Sequence, residues 1–235
     1  MGRAPRGERD PGGIRGDRLS RAARSSAGLA ALVLTLAALA LTLAAAPRAA
    51  EVPDPVEYTA DVSHSTVGFR VRHLGISWVS GRFTRFAATF VWDPDHPEAS
   101  WVTATIDAAS IDTENGRRDD HLRSEDFLWV ERHPTITFAS RSVAMEDEGR
   151  LSIAGDLTIR GITRPVVLEA TLEGTTTGRG GQPIVAWSAE TRIRRQDYDL
   201  TWNRVTEVGA FVVGDEVRIL LEIEARGPEP AAAEG

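Results

Sequence analysis

Apolar and polar residues alternate at a period of two along most of the chain, the pattern of a half-buried β-strand. The alternation is clear at Val67, Phe69 and Val71, and again at Val102 and Ile106. The same pattern, rich in valine, isoleucine, threonine and aromatic residues, predicts further strands over residues 82–92, 135–143, 151–159, 166–173, 184–194 and 216–225. The chain is therefore predicted to be mainly β-sheet.

Short turns separate these strands, as at Asp93-Pro94-Asp95, Glu148-Gly149 and Gly214-Asp215. Several strands joined by short turns favour an antiparallel sandwich or a closed barrel. One segment departs from the alternation, because residues 119–130 carry apolar residues at helical spacing. A short helix is predicted there, with acidic residues at positions 119 and 120 suited to capping its first turn.

The N-terminal segment has the pattern of an export signal. Seven arginines lie within the first 24 residues, and an uncharged apolar run of 20 residues follows at 27–46. We expect residues 1–50 to direct export to the periplasm or the medium, although the run is also long enough to remain as a membrane anchor. Residues 51–57 are predicted to be a linker, 58–226 the folded domain, and 227–235 a disordered tail.

Composition narrows the class of partner. Without residues 1–50, 19 arginines face 31 acidic residues, a balance that argues against nucleic acid. The absence of cysteine excludes disulfides and thiolate metal sites, so a hydrophobic core must supply the stability.

The usual signatures of catalysis are missing. No two of the five histidines have the spacing of a zinc-hydrolase helix, no Gly-x-Ser-x-Gly elbow occurs, and the glycines at 178–181 suit a turn better than a phosphate cradle. We therefore predict no metal, no cofactor and no catalytic residues.

Seven motifs occur in order along the folded domain: HSTVGFRVRHLG at 64–75, GRF at 81–83, IDT at 111–113, RDDHLRSEDF at 118–127, HPTITF at 133–138, GDLTIRGITRPV at 155–166 and VGDEV at 213–217. Together they resemble the YceI-like family of polyisoprenoid-binding proteins. The resemblance implies an all-β fold, an extended lipocalin-like barrel of eight antiparallel strands with a short helix near one opening. It also implies an exported protein with a lipid-like ligand inside the barrel.

Two positions depart from the family pattern. After the helical Asp-Phe pair the family often has a second aromatic or similarly bulky residue, whereas this chain has Leu128 and then Trp129. Residues 195–200 read RQDYDL, where a Phe-Gly pair is more usual in the family. Both departures bear on the shape of one end of the cavity.

Candidate ligand contacts follow from strand parity and from the ends of the predicted elements. The apolar cavity wall is predicted to include Val67, Phe69, Val71, Phe83, Phe138, Leu157, Trp187 and Trp202. The polar mouth is predicted to include His73, Arg118, Asp120 and His121. The apolar set is equally consistent with a core that the protein fills itself.

Three functions remain open from the sequence. The leading one is a carrier or store for a long-chain amphiphile of polyisoprenoid, quinone or fatty-acid type, since about 15 buried methylenes would contribute roughly 12 kcal/mol before the costs of association. The second is a hydrolase or transferase using His121 and Asp120 as acid–base partners. The third is an envelope module without a ligand, and the sequence leaves open whether two copies form a homodimer.

Overall fold

The computed structural model describes residues 56–205, 209 and 211–230. The export segment expected at 1–50, most of the 51–57 linker and the end of the 227–235 tail lie outside these residues. Within the described part, no helix is long and apolar enough to span a membrane.

The described residues form eleven β-strands and a short α-helix. In chain order these are β1 Val56–Ala60, β2 Thr66–His73, β3 Ser77–Phe83, β4 Phe86–Trp92, β5 Trp101–Asp107, β6 Ile111–Asp112, α1 Gly116–Arg123, β7 Thr135–Asp147, β8 Arg150–Ile159, β9 Ile162–Thr177, β10 Pro183–Arg194 and β11 Val213–Arg226. Single 3-10 turns lie at Pro97–Ala99, Ala108–Ser110 and Arg195–Tyr198.

The strands form one antiparallel sheet that closes on itself. β1 and β2 are two halves of one bent strand, and the same holds for β3 with β4 and for β5 with β6. β5 pairs with β7, the strands from β7 to β11 pair in succession, and β11 returns to pair with β2 and with β1. Eight antiparallel strands thus close into a barrel, which confirms the predicted fold.

The strand predicted over residues 82–92 is wrong as a single element. The chain bends at Thr84 and Arg85, whose backbone N–H groups donate to the carbonyl and hydroxyl oxygens of Ser110 (both 3.1 Å). These bonds replace the ladder, and the strand changes partners from β2 and β6 before the bend to β1 and β5 after it. The bend lets the wall of the barrel change direction.

The helix also differs from its predicted position at 119–130. It begins after Asn115, whose side-chain oxygen accepts a hydrogen bond from the Arg118 N–H (3.1 Å), and it ends at Arg123. Neither of the two acidic residues expected to cap the helix does so. Asp119 is buried and accepts a hydrogen bond from the Thr113 N–H (3.0 Å), and Asp120 is exposed.

The residues after α1 fold back on it, because the Leu128 N–H donates to the Leu122 carbonyl (3.0 Å) and the Trp129 N–H to the Ser124 carbonyl (2.8 Å). Leu128 is buried in the main hydrophobic core, and Leu122 packs against that core. This return, and not a longer helix, produces the helical spacing of the apolar residues.

A polar seam closes the barrel where β1 gives way to β2. The Asp61 N–H donates to the Glu224 carbonyl on β11 (2.8 Å), and the Asp61 carboxylate lies 2.6 Å from Nη2 of Arg226. Hydrogen bonds from Ser63 and His64 hold the pKa of Asp61 well below its usual value. Potential metal-ligand atoms of Asp61, His64 and Glu224 lie within 4.8 Å of one another, but Arg226 already balances this acidic group.

Candidate ligand-binding cavity

Inward-facing side chains from β2 to β11 surround a cavity of about 300 Å³. The residues around it are almost all apolar, with Ser100, Thr191 and Arg195 as the polar exceptions. Ligand pockets commonly measure about 300–1,000 Å³ and are mostly apolar with a few polar groups. In size and lining, this lumen is of that kind.

The cavity lies between two groups of packed side chains. At the end where α1 lies, the buried residues include Ile111, Leu128, Ile193 and Tyr198. At the opposite end, Trp187 packs edge-on against Trp92, with ring centroids 5.0 Å apart. We call these the helix end and the tryptophan end.

Most of the predicted apolar contacts line this cavity. The residues that do so are Val67, Phe69, Val71, Phe83, Phe138, Leu157 and Trp187. Trp202 does not, because its indole packs against the rings of Phe127 (5.2 Å) and His121 (4.8 Å) at the helix end. Phe127, which the sequence did not single out as a contact, lines the cavity in its place.

Two glycines allow phenylalanine rings to lie flat along the inner wall. A Cβ at Gly81 would come within 2.7 Å of the Phe69 ring and of Thr113, and one at Gly155 within 2.6 Å of the Phe138 ring and of the Ala139 carbonyl oxygen. Both rings border the cavity. The width of the lumen at these points therefore depends on the absence of a side chain from the neighbouring strand.

The four predicted mouth residues are not brought together around the cavity. His73 ends β2, where it pairs with Ser77 in the hairpin, and Arg118 donates to the hydroxyl and carbonyl oxygens of Thr113 (both 2.7 Å). Neither residue borders the lumen.

The other two mouth residues, Asp120 and His121, have separate partners. The Asp120 carboxylate accepts from Arg123 (3.0 Å), whereas Nε2 of His121 lies 2.8 Å from the Asp126 carboxylate. The acid–base pair expected from Asp120 and His121 is therefore not formed, since adjacent helical residues point in different directions. The acid beside His121 is Asp126.

Arg195 is the polar residue that the sequence analysis missed. It borders the cavity at the helix end and is only 3% exposed. Its Nε donates to the Gly214 carbonyl (2.9 Å), and its Nη1 donates to the carbonyls of Trp202 (3.0 Å) and Leu200. Burial lowers the pKa of this guanidinium, and the nearby Asp215 acts against that shift. Strand parity was the available signal, because Arg195 continues the inward positions of Thr191 and Ile193.

Comparison with known proteins gives the same architecture. The YceI-like domain model matches residues 58–225. Protein YceI of Salmonella arizonae is 39% identical over 170 residues, 72% of this chain and 85% of that protein. The crystal structure of a Campylobacter jejuni YCEI protein has a TM-score of 0.59 at 32% identity, covering 72% of this chain and 96% of that one.

A further solved structure shares the fold at lower identity. A polyisoprenoid binding domain from Saccharophagus degradans, implicated in plant cell wall breakdown, has a TM-score of 0.53 at 14% identity and covers 73% of this chain and 98% of that one.

A closed antiparallel barrel with an apolar lumen and a short helix at one end defines this chain as a lipocalin-like barrel protein. More narrowly, the chain belongs to the YceI-like family, because the family model spans nearly all of the described barrel. This confirms the resemblance carried by the seven ordered motifs.

Proposed function

We propose that this protein binds one long apolar chain of polyisoprenoid, quinone or fatty-acid type in its barrel and carries, stores or sequesters it. The observation that carries the proposal is the cavity of about 300 Å³ with its almost wholly apolar lining. Burial of a methylene contributes about 0.8 kcal/mol, so a slender chain gains affinity along its whole length. The fold that this chain shares with a polyisoprenoid binding domain supports the same class of ligand.

The proposal includes export of the protein by residues 1–50, with cleavage between 46 and 51. Its support is the arginine-rich start and the uncharged run that follows. Sequencing the N terminus of protein recovered from the cell envelope or the medium tests this: an intact start in the membrane fraction would indicate a retained anchor instead.

Blocking the lumen tests the binding function. Ala189 lies on β10, borders the cavity, and has a methyl group as its whole side chain. Ala189→Phe places a ring inside the barrel, and we expect binding to weaken by about tenfold or more, equal to about 1.4 kcal/mol. Equilibrium dialysis of delipidated protein against labelled palmitate, geranylgeraniol or a long-chain quinone measures this, and native mass spectrometry identifies any amphiphile that copurifies.

The matched control is Ala144→Phe, which adds the same ring at an exposed position on β7. Its binding should equal that of the unmodified protein. Failure of the unmodified, delipidated barrel to take up any of the three ligands at high micromolar concentration would reject the carrier function and favour a module without a ligand.

The enzymatic alternative makes a different prediction. A hydrolase or transferase would act on a lipid-like substrate through His121, now with Asp126 as its carboxylate partner. Turnover of a long-chain ester or a prenyl diphosphate that disappears in His121→Ala would establish it, and binding without turnover would support the carrier.

A further inference from the structure

One nitrogen of the Arg195 guanidinium has no hydrogen-bond partner among the described residues, and Arg195 is a lining residue of the lumen. An arginine carries five N–H donors. Backbone carbonyls of Leu200, Trp202 and Gly214 accept from Nε and Nη1. The Nη2 atom is buried and has no hydrogen-bond partner among the described residues.

No carboxylate in the described part of the chain forms an ion pair with Arg195. The acid whose charge acts on Arg195 is Asp215, whose Oδ2 lies 3.3 Å from Nε of the exposed Arg194. Carbonyl oxygens satisfy donors but do not cancel the charge. A buried cation without a paired anion is unfavourable, so the residue is suited to an anion supplied from elsewhere.

The apolar surroundings limit where such an anion can come from. Arg195 borders the same lumen as Leu122, Phe127 and Val213, and apart from Ser100 and Thr191 the rest of the lining is apolar. A small, strongly hydrated ion would lose its water there without regaining equivalent contacts. An oxygen attached to an apolar chain reaches this position together with the chain that fills the lumen.

We propose that Arg195 binds the anionic head of the carried amphiphile inside the barrel, at the helix end, with the apolar tail directed toward Trp92 and Trp187. The two Nη2 hydrogens bind an oxygen of a carboxylate or a phosphate, a charge-assisted contact that an alcohol or ester forms only weakly. This inference rests on the proposed function and names the chemical class of ligand that the same cavity prefers.

The distances along β10 agree with a long ligand in this orientation. Trp187 and Arg195 are separated by eight residues, and strands rise about 3.3 Å per residue with a tilt near 40° in such barrels, giving about 20 Å along the axis. A chain with its head at Arg195 would therefore run through the cavity before it meets the tryptophan end.

Head-group selectivity of the unmodified protein is the first test. Equilibrium dialysis at neutral pH compares palmitate with cetyl alcohol and methyl palmitate, and geranylgeranyl phosphate with geranylgeraniol. We expect each anion to bind at least about tenfold more tightly than its neutral partner of the same chain. The two series separate a carboxylate preference from a phosphate preference.

Variants then assign the selectivity to one residue. Arg195→Gln should bring the affinities of palmitate and cetyl alcohol to within about twofold of each other, and Arg195→Lys should keep part of the difference. Arg194→Gln is the matched control, because it removes the neighbouring charge from an exposed side chain. That variant should retain the full selectivity.

The outcomes separate this inference from the proposed function. Equal affinities of the unmodified protein for acid, alcohol and ester would overturn the role of Arg195 and leave lipid binding intact. Absence of binding in every case would overturn both. Because the unmodified protein gives the first answer, a variant of Arg195 that fails to fold does not remove the test.

Discussion

At the scale of single residues, the turn after β10 departs from the Phe-Gly pair that the family resemblance implies. Asp199 has a left-handed conformation (φ 58°, ψ 25°), which glycine adopts most easily and which aspartate tolerates. Tyr198 before it is 1% exposed in the core. The Tyr-Asp pair therefore stands where the family resemblance led us to expect Phe-Gly, and Asp199 adopts the left-handed conformation that suits a glycine.

The Tyr198 hydroxyl makes this turn less stable than it could be. It is buried without a hydrogen-bond partner among the described residues, and burial raises its pKa to about 12. Removing a buried, unpaired polar group avoids its desolvation cost, so Tyr198→Phe should increase the free energy of unfolding by about 1 kcal/mol. Urea denaturation measures the change.

Tyr58→Phe provides the control, since Tyr58 is only half-buried and stacks on Phe90 at 5.4 Å. It should leave stability within about 0.5 kcal/mol of the unmodified protein. A Tyr198→Phe variant that loses about 1 kcal/mol or more would show that the hydroxyl is hydrogen-bonded in solution.

At the scale of elements, alternation predicted the strands well wherever one strand keeps one pair of neighbours. It failed at 82–92 because Phe83 and Phe86 both border the cavity although three positions separate them, so the inward parity changes at the bend. Because the residues alternate on both sides of the bend, the segment resembles one continuous strand. The change of inward parity is visible in the sequence, but it can be interpreted only when the partners of β3 and β4 are known.

The position of polar groups was harder to predict than the strands. Of the eight apolar residues predicted for the cavity wall, seven line the cavity. The carboxylate partner of His121 depends on how the chain folds back after α1, and the partners of Arg195 are backbone carbonyls 5 to 19 residues away, the last of them on β11. Such contacts between separate segments are not visible in local patterns.

Gly155 on β8 tests how strictly the inner wall is packed. A Cβ there would lie 2.5 Å from the Phe138 ring and 2.6 Å from the Ala139 carbonyl oxygen, and the backbone atom cannot rotate away. Gly155→Ala should therefore lower the free energy of unfolding by about 1–3 kcal/mol. It should also weaken ligand binding, because the displaced ring moves into the lumen. Urea denaturation and equilibrium dialysis measure the two effects.

Gly174→Ala on β9 is the matched control, because a Cβ at Gly174 meets no atom within 4 Å. We expect its stability to stay within about 0.5 kcal/mol of the unmodified protein. Equal losses in the two variants would mean that the general cost of replacing a strand glycine, and not the Phe138 contact, governs the effect.

At the scale of the whole molecule, closure of the barrel and use of its lumen are one physical problem. An apolar lumen contributes no self-packing where the cavity lies, so the two packed ends, the strand ladders and the seam that joins the first and last strands hold the sheet together. At that seam Ser65 exchanges hydrogen bonds with the backbone of Glu224 (3.0 and 3.1 Å), close to the Asp61 and Arg226 pair. Polar contacts therefore complete a barrel whose interior is apolar.

This seam makes stability depend on acid. The pKa of Asp61 lies well below its usual 3.8 in the folded protein, through hydrogen bonds from Ser63 and His64 and the charge of Arg226. The contribution is present above the unfolded pKa and is lost as pH falls below it, because the unfolded chain takes up the proton first. Asp61→Asn should lower Tm at about pH 7, and the difference from the unmodified protein should shrink toward about pH 3.

Thermal unfolding followed by circular dichroism across this pH range measures the difference. Asp120→Asn removes one acidic charge from the exposed face of α1, away from the seam, and should change Tm much less at neutral pH. If the Tm difference caused by Asp61→Asn were as large at low pH as at neutral pH, the carboxylate charge would not be what joins β1 to β11. The neutral hydrogen bonds of the seam would then hold the barrel closed.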